Sequence, residues 1–314
     1  MQTNNAQQQS DASSSSSSSS SWLRTDCHEL YHEHIMSDKA VRVGKRGRML
    51  RFSINQAWLV LSKYPHAQVL EFGVHTGRDL CLIDRMVRQK VSEKRRDTKS
   101  TSTNTETDNN NIIIHGFDSF RGLPEDWDNG KEGYDQGKFD LDGVPPDLKE
   151  VRQYLNSKTK DKDKYSPLNK FGLPDTNIED NVMLHIGWFE DTVSKFFDQY
   201  PYPIAYCHAD ADLYSSTITF LEEMCSRQLL VKGSVITFDE YANYPNWQEG
   251  EYKAWIEMVD KYEINFRYIC YHAPSATMME SQGSKSSSKT YNYNKCYNKH
   301  GYQSVSVVVT NVPW

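Results

Sequence analysis

The sequence predicts an α/β protein with a seven-stranded, mostly parallel sheet, helices on both faces and an antiparallel hairpin at the C-terminal end. Three observations carry that expectation. From residue 49 onward, apolar runs of strand length alternate with segments of helical periodicity. Two of these runs, 204–207 and 234–238, lead into acidic pairs, Asp210 with Asp212 and Asp239 with Glu240. Carboxyl ends of strands are where an open α/β sheet holds its ligands. The last two runs, 265–271 and 304–310, have no long helix between them and so are expected to pair antiparallel.

Taken in order, residues 1–21 form a low-complexity tail that ends in nine consecutive serines, a composition that cannot offset ordering entropy by burial. Residues 22–48 follow as a polar lid or cover segment, and 49–314 form the main domain. His28-Glu29-Leu30-Tyr31-His32 matches the His-Glu-x-x-His pattern of zinc helices. A zinc protease also needs a third ligand and an apolar helix in a core, and this copy is polar and adjoins the tail, so coincidence is the better reading.

Residues 49–64 carry a helical stripe of Leu50, Ile54, Trp58, Leu59 and Leu61, stopped by Pro65. A strand at 68–72, Gly73 and Gly77, and a helix at 78–90 make a strand–glycine turn–helix unit, in which backbone can approach a ligand at a helix N-terminus. Residues 91–111 read as a polar surface insertion. Strand 112–117 ends at Asp118, which lies near the spacing of a ribose-binding acid once that insertion is discounted. An acidic, glycine-rich loop runs to Pro146, followed by a helix at 147–155 and a second insertion at 156–172. Strand 181–186 leads through Gly187-Trp188 into a helix ending near residue 200. Strands 204–207 and 234–238 flank a helix at 215–230; a helix at 251–261 and the final pair complete the chain, with a third insertion at 274–301.

Composition narrows the function classes. A net charge of -6 and a pI near 5.9 disfavour nucleic acid, whose phosphates require a basic face. Mean hydropathy is -0.74, and no apolar run approaches the ~18 residues of a membrane span. No signal-peptide pattern opens the chain, and its six cysteines lack Cys-x-x-Cys spacing. A cytoplasmic protein with reduced thiols, no membrane partner and a small-molecule ligand fits these features, and self-association into a homo-oligomer is left open.

Several blocks together resemble a known family. Leu70-Glu71-Phe72-Gly73-Val74, Gly116-Phe117-Asp118-Ser119-Phe120-Arg121-Gly122, and Gly187-Trp188-Phe189-Glu190-Asp191-Thr192 appear in order. They continue with His208-Ala209-Asp210-Ala211-Asp212-Leu213-Tyr214, Phe238-Asp239-Glu240-Tyr241 and Glu251-Tyr252-Lys253-Ala254. The chain resembles the class I S-adenosylmethionine-dependent methyltransferases, specifically the macrocin O-methyltransferase (TylF/MycF) group, with its Rossmann-like sheet.

That resemblance implies methyl transfer from S-adenosylmethionine to a hydroxyl of a sugar or other polyol-bearing metabolite. It implies cofactor contacts from Glu71 and Gly73 at the methionine end, Asp118 and Ser119 at the ribose, Gly187 and Trp188 at the adenine, and Asp210. It also implies Mg²⁺ on Asp210, Asp239 and Glu240, hard oxygen donors that favour Mg²⁺ over zinc. Trp188 has a competing reading as a core aromatic. Asp212 is either an outer acid of the metal site or a cap of the following helix. Many metal-dependent relatives carry a lysine base where this chain has Leu213, so Asp210 or His75 is left as the proton acceptor. His185 and His208 lie within strands and read as core residues. Methyl transfer competes with two alternatives on the same topology, an NAD-type oxidoreductase and an inactive nucleotide-binding scaffold. Calorimetric titration with S-adenosylmethionine and with NAD separates them: binding of the first and not the second is expected, and the reverse selects the oxidoreductase.

Overall fold

Every residue of β2 (Gln68–Phe72) is buried, as is every residue of β5 (Ile204–Ala209). A strand hides both faces only when layers cover both sides of its sheet. The computed structural model describes residues 29–99, 112–130, 132–159, 181–272 and 303–314. Its remaining strands are β1 (Val41–Val43), β3 (Ile114–Asp118), β4 (Val182–Ile186), β6 (Leu230–Ala242), β7 (Asn265–His272) and β8 (Gln303–Asn311). The eight strands stand in the order β1-β7-β8-β6-β5-β2-β3-β4. β8 alone runs against its neighbours, pairing antiparallel with both β6 and β7. The expected antiparallel pairing of the last two strands is present, with β8 inserted between β6 and β7.

The helices are α1 (Arg46–Lys63), α2 (Arg78–Lys99), α3 (Leu148–Thr159), α4 (Phe189–Gln199), α5 (Tyr214–Ser226) and α6 (Glu251–Lys261). Alternation along the strands sends side chains to two separate cores. Val69 and Val235 join the core built on Leu50, Ile54 and Val60 of α1 and on α2, whereas Leu70, Phe72, Ile236 and Phe238 join the core under α4, α5 and α6. There Phe72 stacks on Phe220 at 4.0 Å and on Phe117 at 4.7 Å between ring centroids.

Three departures from the sequence reading have simple causes. The eighth strand, β1, lies inside the segment expected to be a cover; with three residues and only Val43 buried, it is too short to show alternation. α2 continues to Lys99, into residues expected to be a surface insertion, supported by the Asp84–Arg88 and Lys90–Glu93 pairs at 2.6 and 3.4 Å and with Arg95 and Arg96 exposed to solvent. Leu59, expected in the buried stripe of α1, is 73% exposed, and Ala57 and Val60 take that face.

The polar segment ahead of β1 forms a π-helical turn, Leu30–Ile35, with Leu30 and Ile35 buried and the Tyr31 hydroxyl 2.8 Å from that of Tyr271. His28, residues 1–21, most of the insertions at 91–111 and 156–172, and all of 274–301 lie outside the described residues. Among the described residues no helix is long and apolar enough to cross a membrane. Cys81, Cys207, Cys225 and Cys270 are free and buried. Burial pushes the Cys81 thiol up to about 11 and Cys225 to about 12.

The chain leaves β2 toward β3 and β4, then returns to the other side of β2 with β5. That reversal of direction opens a crevice at the carboxyl ends of β2 and β5, where Phe72 and Ala209 are register partners.

Away from that crevice, His115 Nδ1 lies 3.0 Å from His185 Nε2, with Phe117 and Phe196 packed around the pair. Burial lowers His115 to about 3, helped by His185, and lowers His185 to about 4. An unfolded chain therefore binds protons between about pH 6.5 and 4 that the native pair does not, so the pair's contribution to stability falls as pH drops through that window. His115→Phe should flatten the decline of melting temperature from pH 6.5 to 4.5 relative to wild type; an unchanged slope refutes the assignment.

Candidate active site at the switch point

Backbone contacts tie the strand ends around the crevice. Gly73 N donates to Phe117 O at 3.0 Å, and Asp210 N donates to Phe72 O at 2.9 Å. Gly73 has φ +89°, and a Cβ there would fall 1.8 Å from the Asp210 carbonyl oxygen. This glycine is thus required by the protein's own backbone, whatever ligand it also admits.

A cavity of about 330 Å³ opens at this point, within the range of small-ligand sites. Glu71, Gly73, His75, Asp118, Ser119, Gly187, Trp188, Asp210, Asp239 and Glu240, all singled out from the sequence, line it. Asp239 and Glu240 fall within β6 rather than after it, but they lie just past the last β5–β6 pair, Ala209 with Phe238. Trp188 is 37% exposed at the start of α4, so its alternative reading as a core aromatic is overturned.

Asp118 accepts from His75 N through Oδ2 and from Phe120 N through Oδ1, both at 2.7 Å. Ser119 Oγ accepts from Arg121 N at 3.0 Å. These bonds organise the loop, and both residues line the cavity. His75 sits at φ 45° with its ring edge-on to Phe139 at 5.3 Å.

Charge is concentrated here. Glu71 is almost fully buried, with Oε1 2.8 Å from His208 Nδ1 and Oε2 without a hydrogen-bond partner. Burial first, then Asp79 and Asp210, raise its pKa well above the usual carboxylate range. Burial, and then Arg46, lower His208 to about 4, so burial disfavours the charged form of both partners. His208 and His185 lie in strands, as expected, each with one ring nitrogen partnered, but His185 is only half-buried and the buried Nε2 of His208 has no hydrogen-bond partner. Burial and Asp239 also raise Asp210 and Glu240.

Asp212 is pushed up to about 7, by burial first and then by Asp239 and Asp118 against Arg46. Its backbone is left-handed at φ 61°, a conformation that costs a non-glycine residue of order 1 kcal/mol. The N-cap of α5 is Leu213, with no side-chain cap, so the capping role considered for Asp212 is overturned.

Oxygens of Asp210, Asp239 and Glu240 lie within 4.8 Å of one another. They are hard donors, and Glu240 Oε2 is buried without a partner. A small side-chain closure brings such a set to the ~2.1 Å bonds that Mg²⁺ demands, so these residues fit that ion.

Three further residues escaped the sequence reading. Glu251, fully buried, accepts from Ala211 N at 3.4 Å and from Glu240 N at 3.1 Å, bracing the β5 and β6 ends against each other. Asp79 enters from the first turn of α2. Arg46, the first residue of α1, ion-pairs with Asp79 at 2.7 Å, with Asp239 at 2.8 Å and with Asp210. Glu251 carried a sequence signal, since it opens one of the family-like blocks. Arg46 carried none, because its partners are distant in sequence.

A mostly parallel sheet with an inserted antiparallel strand and an acid-lined crevice at its switch point defines a methyltransferase-like protein. The family model described as macrocin-O-methyltransferase (TylF) matches residues 102–259, half of the chain. The chain belongs to that family and is an O-methyltransferase, which decides against the oxidoreductase and scaffold alternatives. It is similar to the calicheamicin methyltransferase CalS11 at 22% identity over 83% of this chain and 94% of that one, TM-score 0.45. It is also similar to the O-methyltransferase NovP at 20% identity over 71% and 74%, TM-score 0.42. The Podospora anserina methyltransferase PaMTH1, solved with SAH, shares 9% identity over 82% and 78%, TM-score 0.38. No curated protein matches the chain in sequence.

The Gly73–Asp210 contact yields a direct test. Gly73→Ala should cost roughly 2–4 kcal/mol in chemical denaturation, because both backbone segments are pinned by hydrogen bonds. A loss below about 1 kcal/mol would mean that the strand ends relax freely.

Proposed function

We propose that this O-methyltransferase takes its methyl group from S-adenosylmethionine, with Mg²⁺ held by Asp210, Asp239 and Glu240. The acceptor is a hydroxyl of a small polyol-bearing metabolite such as a sugar. One observation carries the reading: a single cavity gathers Glu71, Gly73, Asp118 and Trp188 together with the three metal-type carboxylates. When bound, the sulfonium supplies an electrophilic methyl and the dication lowers the pKa of the acceptor hydroxyl.

The chain's own residues do the rest. Glu71, whose charged form burial disfavours, gains an anionic role when a ligand ammonium brings a positive charge beside it. Asp118 and Ser119 use their remaining lone pairs and proton on ribose hydroxyls, and the exposed face of Trp188 offers a flat surface to adenine. Glu251 fixes the spacing between the segment after β5 that carries Asp210 and the β6 residue Glu240, so donors and acceptor meet in attack geometry. Proton removal falls to Asp210, which also holds the cation, or to His75.

Asp239→Asn with Glu240→Gln should abolish Mg²⁺-stimulated methyl transfer, by more than the roughly 100-fold that losing an outer partner of a metal ligand costs. Calorimetric affinity for S-adenosylmethionine should stay within about threefold, since neither residue is assigned to that ligand. Turnover that survives both the double substitution and EDTA sinks the metal assignment and leaves methyl transfer standing.

A further inference from the structure

The Arg46 guanidinium occupies the middle of the acidic group, with one nitrogen to each of three carboxylates from three different parts of the chain. Two of the three, Asp210 and Asp239, are also members of the oxygen set that fits a divalent cation. Burial works against the arginine's charge, but Asp210, Asp239 and Asp79 outweigh it and hold the group protonated. A dication on the same carboxylates would stand only a few ångströms from a full positive charge, in a buried pocket where little water screens the repulsion.

We infer that Arg46 is an internal counter-cation that a divalent metal must displace from Asp210 and Asp239, so that arginine and metal bind this site in competition. This rests on the metal reading given above. Release does not require α1 to unfold. Asp79 lies outside the oxygen set around Glu240 and remains as a partner for the retreating guanidinium. Gly44 and Gly47 lie on either side of Lys45–Arg46, and apart from chain neighbours and the helix's own backbone neither has an atom within 4 Å of where a Cβ would stand, so side chains at the first turn of α1 leave it room to shift. The competition also links cation binding to the N-terminal segment, because Arg46 directly follows β1 and its short connection.

The test is Mn²⁺ binding to the full-length protein by calorimetry and by the loss of free-ion electron paramagnetic resonance signal. Arg46→Gln, which removes the charge and keeps most of the length, should tighten Mn²⁺ binding by at least about tenfold. Arg46→Lys, which keeps a cation, should stay within about threefold of wild type. Equal or weaker binding in Arg46→Gln overturns the inference while the metal reading survives; no Mn²⁺ binding to either protein overturns both. A measurement on the wild type stands apart from any folding defect of the variants. The Arg46 Nε–H resonance should move and exchange faster with water on Mg²⁺ saturation, and an unmoved, slowly exchanging signal overturns the inference.

Discussion

The site is governed by the cost of collecting carboxylates where water is scarce. Glu71, Asp210, Asp239, Glu240 and Glu251 converge from four elements, and all but Asp210 are buried. Like charges so placed either take up protons or attract cations. Both responses are present: Glu71, Asp210, Glu240 and Glu251 are shifted toward the neutral form, and Arg46 bridges three acids at once. A protein selected for stability alone has little reason to accept this, since an apolar core of similar volume is often at least as stable as buried charges. The arrangement makes physical sense as a receptor for positive charge, which a sulfonium, an ammonium and a dication each bring.

The scaffold that meets this cost is the sheet itself. Parallel pairing of β2 with β5 brings Gly73 against the Asp210 carbonyl, and pairing of β5 with β6 places Asp239 one residue past the last rung. The carboxylates are therefore positioned by backbone hydrogen bonds and by two separate cores, rather than by the mobility of a surface loop. Glu251 adds a brace that touches main chain just past β5 and within β6. Preorganisation of this kind is what electrostatic catalysis requires, because dipoles already in place need no reorganisation when charge develops.

Much of this was legible in the sequence, and the misses share a cause. β2, α6 and the acids of the cavity could be read because their signals are local: an apolar run, an amphipathic repeat, a carboxylate after a strand. β1 was missed because three residues carry no periodicity, and the far end of α2 because a solvated helical face resembles a polar insertion. The capping role of Asp212 failed on a backbone angle that spacing does not encode. Arg46 was invisible for a different reason. An arginine at a helix start is ordinary, and only the fold reveals that two of its three partners, Asp210 and Asp239, lie at least 164 positions away.

The buried free thiols noted in the fold have a practical meaning of their own. Cys207 and Cys225 lie in the core beneath α4, α5 and α6, while Cys270 belongs to a separate cluster with Val43 and Met49 near the β1 edge. None is exposed in the native state, and burial raises the pKa of each, so alkylating reagents meet them chiefly when their surroundings open. The molecule thus carries built-in reporters of local breathing. Mass-resolved labelling at these positions would distinguish loosening of the sheet's edge from loss of its centre, without introducing a single foreign probe.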